Sequence, residues 1–525
     1  MRAVRYALIA SLLAGVSLMS APVASQSGAA AGRCEAMIGV EIRPGVKIDK
    51  ATHVAASAAR AGSASGPPMA ALPAQCLVEG TIDPHQGADG KTYAIGFALG
   101  LPDEWSGRFL QQGGGGLNGS VNAPVGPVAA GDRPALARGF AVISHDSGHK
   151  GAVFDDSFMS DQRAGLDFAE ASVRTVALVG KALTERYYGQ PIAHSYMTGC
   201  STGGRESMLA IQRYPELFDG VIVGAPAMRT GHSNLGIEYS AVQFNTTAPR
   251  DSAGLPLVEQ IFSPADRQTV LTGLLKQCDA LDGAADGMIM NVAQCHFRPE
   301  TLQCTPGQTA NCLPASKVQA MTRAFAGPND AAGYPIYAPV PYDTGIVFTG
   351  PGLPGYLPTG AAGVFGPATR ALTIDMDARL RTVEQNGVQR LTDTNVWTDL
   401  DTFLGHHGKV LFFHGVSDPW FSAFDSWNYW QRAAETNGAA FTDASRYYMI
   451  PGMGHCQGGN AFDKFDLLGP LVDWVENGTA PERPIASRAD NSASRPMCPH
   501  PSYAQYIGGD ASKPESYECR TPSEA

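Results

Sequence analysis

An α/β fold interrupted by a long insertion is what this sequence predicts, on three observations. Strand-like and helix-like segments alternate from Cys76 to Pro226 and again after residue 396. A Gly-x-Ser-x-Gly run, Gly199-Cys200-Ser201-Thr202-Gly203, stands where a strand gives way to a helix. Between the alternating stretches, residues 227–396 carry four cysteines, many Gly and Pro, and no alternation.

The elements follow in order. Residues 26 to about 75 are rich in Ala, Gly and Ser and read as irregular chain tied down by Cys34 and Cys76. Tyr93–Leu99 and Arg108–Gln111 read as strands, as does Phe140–Ser144, which is followed by Asp146. Phe168–Tyr188 has helical spacing at Ala171, Val173, Val176, Ala177, Leu178, Ala182 and Leu183. Ser195–Thr198 is the strand before the glycine-flanked serine, and Gly203–Tyr214 the helix after it. Phe218–Pro226 closes the first half. The rhythm returns with strand Lys409–His414, helix Phe424–Thr436, strand Arg446–Ile450 and helix Phe465–Asn477. The expected division is therefore a signal at 1–25, a first core part at 26–226, a lid domain at 227–396 and a second core part at 397–525.

Composition narrows the class. A net charge of −11 argues against nucleic acid or an anionic membrane as partner. With 44% hydrophobic and 17% charged residues, the chain reads as compact and rich in loops, as its 60 Gly and 37 Pro also require. Arg2 and Arg5 precede the apolar run Ala7–Met19, and Val23-Ala24-Ser25 fits a cleavage site. That apolar run is too short for a comfortable span, and no later stretch approaches about 20 consecutive apolar residues, so a soluble mature protein is expected. All 10 cysteines lie beyond the signal, with no Cys-x-x-Cys pair. Such a count in an exported chain points to disulfides in a secreted or periplasmic protein. Spacing suggests local bridges joining Cys278 to Cys295, Cys304 to Cys312, and Cys498 to Cys519. Nothing in the sequence points to an oligomeric state.

The candidate chemistry lies in the loops. A serine hydroxyl needs a positioned base, and Gly199, Gly203 and Gly204 leave room for the tight turn that exposes Ser201. Asp418 follows strand Lys409–His414, and His455 follows strand Arg446–Ile450 in a glycine-rich loop. Ser, Asp, His is the chain order of α/β-hydrolases, with the aspartate orienting the histidine. His406, His407 and His414 lack such a pairing and read as surface or core residues. If Ser201 and His455 meet, Cys200 and Cys456 come near enough to bridge. For the oxyanion, Thr202 offers the N–H after the nucleophile, and Gln112-Gly113-Gly114-Gly115-Gly116-Leu117 resembles a lipase glycine loop. Cys278-Asp279-Ala280-Leu281-Asp282-Gly283-Ala284-Ala285-Asp286-Gly287-Met288 brings three carboxylates together in one loop, either a hard-cation site or an acidic turn.

These motifs resemble the tannase and feruloyl esterase family of secreted α/β-hydrolases, a family that also holds terephthalate half-ester hydrolases. The resemblance spans nearly the whole mature chain. It rests on Gly-Cys-Ser-x-Gly-Gly at Gly199–Gly204, Pro-Gly-Met-x-His-Cys at Pro451–Cys456, Cys-Asp-Ala-Leu-Asp-Gly from Cys278, and Cys498-Pro499 with the late Cys519. It implies a triad of Ser201, Asp418 and His455, and a Cys200–Cys456 bridge beside it. It implies Gly116 as the second oxyanion donor, Ca2+ held by Asp279, Asp282 and Asp286 with the carbonyls of Ala284 and Met288, and no organic cofactor. The remaining pairs would be Cys34–Cys76, Cys278–Cys295, Cys304–Cys312 and Cys498–Cys519. The expected activity is that of a secreted serine esterase acting on small esters of aromatic acids, of feruloyl or galloyl type. Terephthalate half-ester hydrolysis is one alternative, and a catalytically silent phenolic- or carbohydrate-binding protein another. Phe421, three residues after the acid, is either a wall of the acyl pocket or a core residue. The Arg-x-x-x-Phe-Ser segment that grips carboxylate in the half-ester enzymes has no match between Gly350 and Leu400, where Arg370, Arg379 and Arg381 are available.

Overall fold

The structure, a computed structural model, describes residues 23–60, 62, 69–347, 356–358 and 369–522. Residues 1–22 of the expected export signal lie outside that set.

Nine strands form one sheet: β1 Val46–Val54, β2 Gln75–Gln86, β3 Thr92–Pro102, β4 Arg108–Gln112, β5 Ala141–His145, β6 His194–Cys200, β7 Gly220–Gly224, β8 Lys409–Gly415 and β9 Ser445–Ile450. Their order across the sheet is β1-β2-β3-β5-β4-β6-β7-β8-β9. The first three are antiparallel to their neighbours, and from β5 to β9 every pairing is parallel. The parallel strands are covered on both faces, which is why β5 and β7 are buried throughout and read as short continuous runs. The helices that cover them carry one apolar face each. In Ser172–Tyr188 that face is Val173, Val176, Ala177, Val179, Leu183 and Tyr187, and Gly189 at φ 68° ends the helix.

Two buried clusters lie on the sheet. One contains Phe97, Phe109, Val176, Leu209, Val223 and Phe412, and the other Leu110, Tyr196, Ile222, Leu411, Tyr448 and Trp474. The chain between β7 and β8 is helical, with Thr230–Asn245, Pro264–Cys278 and Ala315–Ala326 as its longest described helices. It has a core of its own around Phe244, Phe262, Leu274, Met321, Phe325 and Leu357. This is an α/β-hydrolase sheet with a large insertion between β7 and β8.

One expectation needs correcting. Residues 26–75 are not irregular throughout, because Val23–Glu35 is a helix and Val46–Val54 is an edge strand. Neither carries a periodic apolar signal. The helix is held by the Cys34–Cys76 disulfide and by Arg33 stacked 4.7 Å over the Tyr187 ring. The strand presents Lys47, Asp49 and Lys50, charges suited to an exposed sheet edge.

Candidate active site

Ser201 stands at the β6-to-helix turn with φ 64° and ψ −123°, a conformation that costs a non-glycine residue on the order of 1–3 kcal/mol. Backbone contacts impose it. The Ser201 N–H donates to the Gly224 carbonyl at 3.1 Å, and the Ser201 carbonyl accepts from Arg205 and Ala227, both at 3.0 Å. A Cβ at Gly199 would lie 2.2 Å from the Gly203 carbonyl oxygen, and one at Gly204 2.1 Å from that of Gly224. Only glycine allows these approaches.

The loops after β8 and β9 supply the other two groups. His455 donates from Nδ1 to Asp418 Oδ2 at 2.6 Å, with both side chains buried. Its Nε2 is buried without a hydrogen-bond partner, so Ser201 and His455 are not hydrogen-bonded to each other here. Such bonds are often long before substrate binds. Asp418 Oδ1 accepts the N–H groups of Trp420 and Phe421, at 2.9 and 3.1 Å. Burial pushes the Asp418 carboxyl up, but the charge on His455 and hydrogen bonds from His414 and His455 outweigh it and hold the group well below the usual carboxylate range. A disulfide joins Cys200 to Cys456, with Cα atoms 6.0 Å apart, so the chain neighbours of Ser201 and His455 are covalently linked.

The glycine loop lies against the serine turn. Gly113 donates to Thr198 at 2.9 Å, and Gly203 donates to Gly114 at 3.0 Å. The Thr202 hydroxyl donates to the Gly116 carbonyl. Gly116 has φ 58°, and a Cβ there would meet the Val153 carbonyl oxygen at 2.7 Å. Thr202 is the first residue of its helix, where an N–H has no acceptor within the helix.

Trp420 and Phe421 both face the histidine, with ring centroids 4.5 and 5.4 Å from the His455 ring. The insertion reaches this corner. Tyr337 Oη accepts from Ser422 N at 3.0 Å, and Asp343 Oδ2 accepts from Ser417 Oγ and Gly452 N, both at 2.6 Å. Burial pushes the Asp343 carboxyl up.

The sequence reading missed several of these groups. His414, read as a surface or core residue, is 1% exposed, but its Nε2 faces Asp418 Oδ2 at 3.3 Å and the Phe421 carbonyl at 3.0 Å. Two acceptors there mean that Nε2 carries the proton, and Ser426 Oγ meets Nδ1 at 2.6 Å. The signal was the four-residue spacing from His414 to Asp418. Trp420 lay beside Phe421 in the segment after Asp418 without being given a role, and Asp343 and Ser417 were not singled out.

All 10 cysteines are paired: besides Cys200–Cys456, the bridges are Cys34–Cys76, Cys278–Cys295, Cys304–Cys312 and Cys498–Cys519. In the acidic loop, Asp282 is 1% exposed and its two oxygens accept from Ala284 N and Met290 N, at 2.9 and 3.1 Å. Burial raises its carboxyl to about 7, with Asp286 and Asp279 adding to the shift. Asp279 Oδ1 accepts from Asp286 N and Gly287 N at 3.2 and 3.1 Å, and Asp286 is paired with Arg495 at 2.8 Å. Among the described residues no three acidic, histidine or cysteine side chains are grouped closely enough to hold a metal ion. Burial, with the charge of Asp286 adding to it, raises the Asp279 carboxyl as well, and carboxylate oxygens are the donors a hard cation takes.

A family model for "Tannase and feruloyl esterase" matches residues 76–347 and 365–520. The chain belongs to that family. It is a carboxylic ester hydrolase. Among curated relatives, mono(2-hydroxyethyl) terephthalate hydrolase of Piscinibacter sakaiensis is 34% identical, covering 90% of this chain and 89% of that one. A probable feruloyl esterase B-2 of Neosartorya fischeri is 32% identical over 80% of this chain and 82% of its own. Among solved structures, feruloyl esterase B from Aspergillus oryzae superimposes with a TM-score of 0.74 at 25% identity, covering 93% of this esterase and all of that chain. Tannin acyl hydrolase from Aspergillus niger, at 23% identity and a TM-score of 0.68 over 94% of each chain, shares the fold.

Proposed function

We propose that this esterase is an exported serine hydrolase that cleaves esters of aromatic acids through an acyl-enzyme. The observation that carries the reading is the buried His455–Asp418 pair, 2.6 Å apart, with an unpartnered Nε2 on the loop bridged to the serine turn. In this mechanism His455 Nε2 takes the proton from Ser201 Oγ as the oxygen attacks the ester carbonyl. The N–H groups of Gly116 and Thr202 receive the developing oxyanion, a contribution of about 3–4 kcal/mol for each donor at such sites. The imidazolium returns its proton to the departing alkoxide, and the alcohol leaves. Water then attacks the acyl-serine with His455 again as base, releasing the acid and restoring Ser201. Asp418, held ionised, keeps Nδ1 protonated and stabilises the imidazolium.

An aromatic acyl group is favoured by Trp420 and Phe421, which flank His455 and offer flat apolar surfaces. Of the three arginines in the 350–400 stretch, Arg370 and Arg379 are engaged by Asp251 and Glu238 at 2.7 and 2.8 Å, which disfavours those two as grips for a free carboxylate on that ring. In this reading the insertion is the lid, since its Tyr337, Pro339 and Asp343 brace the acid and histidine loops. Export to an oxidising compartment is supported by five disulfides with no free cysteine among the described residues, and among them no helix is long and apolar enough to cross a membrane. We also propose that the acidic loop holds a structural calcium ion, with Asp279, Asp282 and Asp286 as side-chain ligands and the Ala284 and Met288 carbonyls completing the set. The donor chemistry around buried Asp282 supports it. Its role would be to neutralise the carboxylates and brace the loop.

A turnover screen with methyl ferulate, methyl gallate and the terephthalate half-ester tests the substrate class. The expected result is higher kcat/KM on one of the first two, and clear preference for the half-ester would overturn the acyl-group assignment.

A further inference from the structure

Glu206 takes no part in the reaction proposed above, yet it is a wholly buried carboxylate directly beneath the glycine loop. It sits one helical turn after Thr202, so both side chains rise from the same face of the helix that follows Ser201. Its Oε2 accepts the Gly114 N–H at 2.8 Å. Its Oε1 accepts from Asn118 Nδ2 at 3.1 Å and from Ser147 Oγ at 3.3 Å. His145 approaches Oε2 at 3.8 Å, and its Nδ1 accepts from Ser147 N at 3.2 Å, so the Nε2 proton is the one turned towards the carboxylate. A fully buried carboxylate is costly to keep, and one set among donors from two separate segments has a positional consequence.

The consequence concerns the oxyanion hole, whose two donors come from chain segments far apart in sequence. Gly116 belongs to the loop after β4, and Thr202 to the helix after β6. Four bonds tie that loop to that helix: Gly203 N–H to the Gly114 carbonyl at 3.0 Å, the Thr202 hydroxyl to the Gly116 carbonyl, Gly114 N–H to Glu206 Oε2, and Asn118 Nδ2 to Glu206 Oε1. Glu206 also holds Asn118, the far end of the same loop, so it grips the loop on both sides of Gly116. We propose that Glu206 is the positioning residue of the oxyanion hole, setting the Gly116 N–H relative to the Thr202 N–H. This rests on the serine mechanism above. Donors fixed in advance are what make such a hole effective, because the reacting system then spends nothing on reorganising them.

The discriminating readout is binding of a tetrahedral mimic against a planar one. Benzeneboronic acid, which becomes tetrahedral on a reactive serine, needs both donors, whereas benzamide is planar and does not. In Glu206→Ala, kcat on 4-nitrophenyl acetate should fall about 30-fold, between the effect of losing a donor outright and none. Affinity for benzeneboronic acid should fall by the same factor, while KM and benzamide inhibition stay within about threefold. Glu206→Asp withdraws the carboxylate by one methylene and should behave like Ala, so it decides the matter if the alanine variant does not fold. Glu206→Gln keeps an acceptor for Gly114 and should stay within about fivefold of wild type. Boronate affinity within threefold of wild type in the Asp variant, or equal losses of boronate and benzamide binding, would overturn the proposal. Ser201→Ala separates the two readings: if it turns over like wild type, the serine mechanism itself has failed, whereas if it is inactive and Glu206→Asp binds boronate normally, only the role of Glu206 has.

Discussion

Breaking the Cys200–Cys456 bridge tests whether the loops that carry nucleophile and base are held as one unit. The bond closes a loop of 256 residues. The chain-entropy relation gives about 5.5 kcal/mol at 25 °C for that length, above the 2–4 kcal/mol that disulfides usually contribute. The bridges Cys278–Cys295 and Cys304–Cys312 lie inside this loop with separations of 17 and 8, shortening it enough to lower the figure by only about 0.1 kcal/mol. Removal should therefore cost about 3–5 kcal/mol of stability. The effect on catalysis is larger in kind. The Cα atoms of the two cysteines are 6.0 Å apart, and one adjoins Ser201 and the other His455, so release lets Ser201 and His455 drift relative to each other. A displacement of about 1 Å costs on the order of 100-fold in rate. Cys200→Ala, Cys456→Ala and the double variant should each lose kcat by that factor and unfold at similarly reduced urea concentrations, because either single change already breaks the bond. Additive losses across the cycle would refute the reasoning, as would a double variant with wild-type kcat, or peptide mapping that finds both thiols free in protein from an oxidising compartment.

Three further outcomes are expected. Gly116→Ala forces a Cβ to within 2.7 Å of the Val153 carbonyl oxygen at a left-handed φ, so kcat should fall about 100-fold while the fold survives; steady-state kinetics within threefold of wild type would remove Gly116 from the oxyanion hole. Chelation should lower the melting temperature of the wild type, and Asp282→Ala should abolish that response, since a cation bound only by the folded state stabilises by mass action; an unmoved melting curve with no calcium by elemental analysis would leave the loop an acidic turn. Asp146 is buried with Oδ1 accepting from Gly96 N and Gly148 N, and burial raises its carboxyl to about 7. Between the unfolded value of about 3.9 and that figure the folded state retains a proton the unfolded state has lost, so stability should fall as pH rises, by up to about 1.4 kcal/mol per pH unit. Asp146→Asn keeps the acceptor and should flatten that slope; an unchanged dependence of melting temperature on pH would contradict it.

The parts legible in the sequence were those with local signals. Strands β5, β7 and β8 are built on short apolar runs because parallel strands are covered on both faces, and the helix Ser172–Tyr188 shows its buried face as a period. The serine turn was legible because steric crowding at Gly199 and Gly204 admits no side chain. Strand β1 was not, because an edge strand interrupted by Lys47, Asp49 and Lys50 lacks a continuous apolar run. The helices inside the insertion were not, because the face that Thr230–Asn245 buries mixes Gly, Ser and Asn with Leu235, Val242 and Phe244 and so shows no apolar period. His414, Asp343 and Glu206 escaped for a shared reason. Each acts through contacts with residues distant in sequence or across a turn, and a buried polar side chain looks the same in sequence whatever it touches.

The central claim is that Ser201 is the nucleophile activated by His455. Incubation with a fluorophosphonate, followed by tryptic mapping by mass spectrometry, tests it most directly. The account predicts one equivalent of label on Ser201, with activity lost in step, and no labelling in Ser201→Ala or when the protein is unfolded first. Full inactivation with the label on another residue, or undiminished turnover by Ser201→Ala, would contradict it.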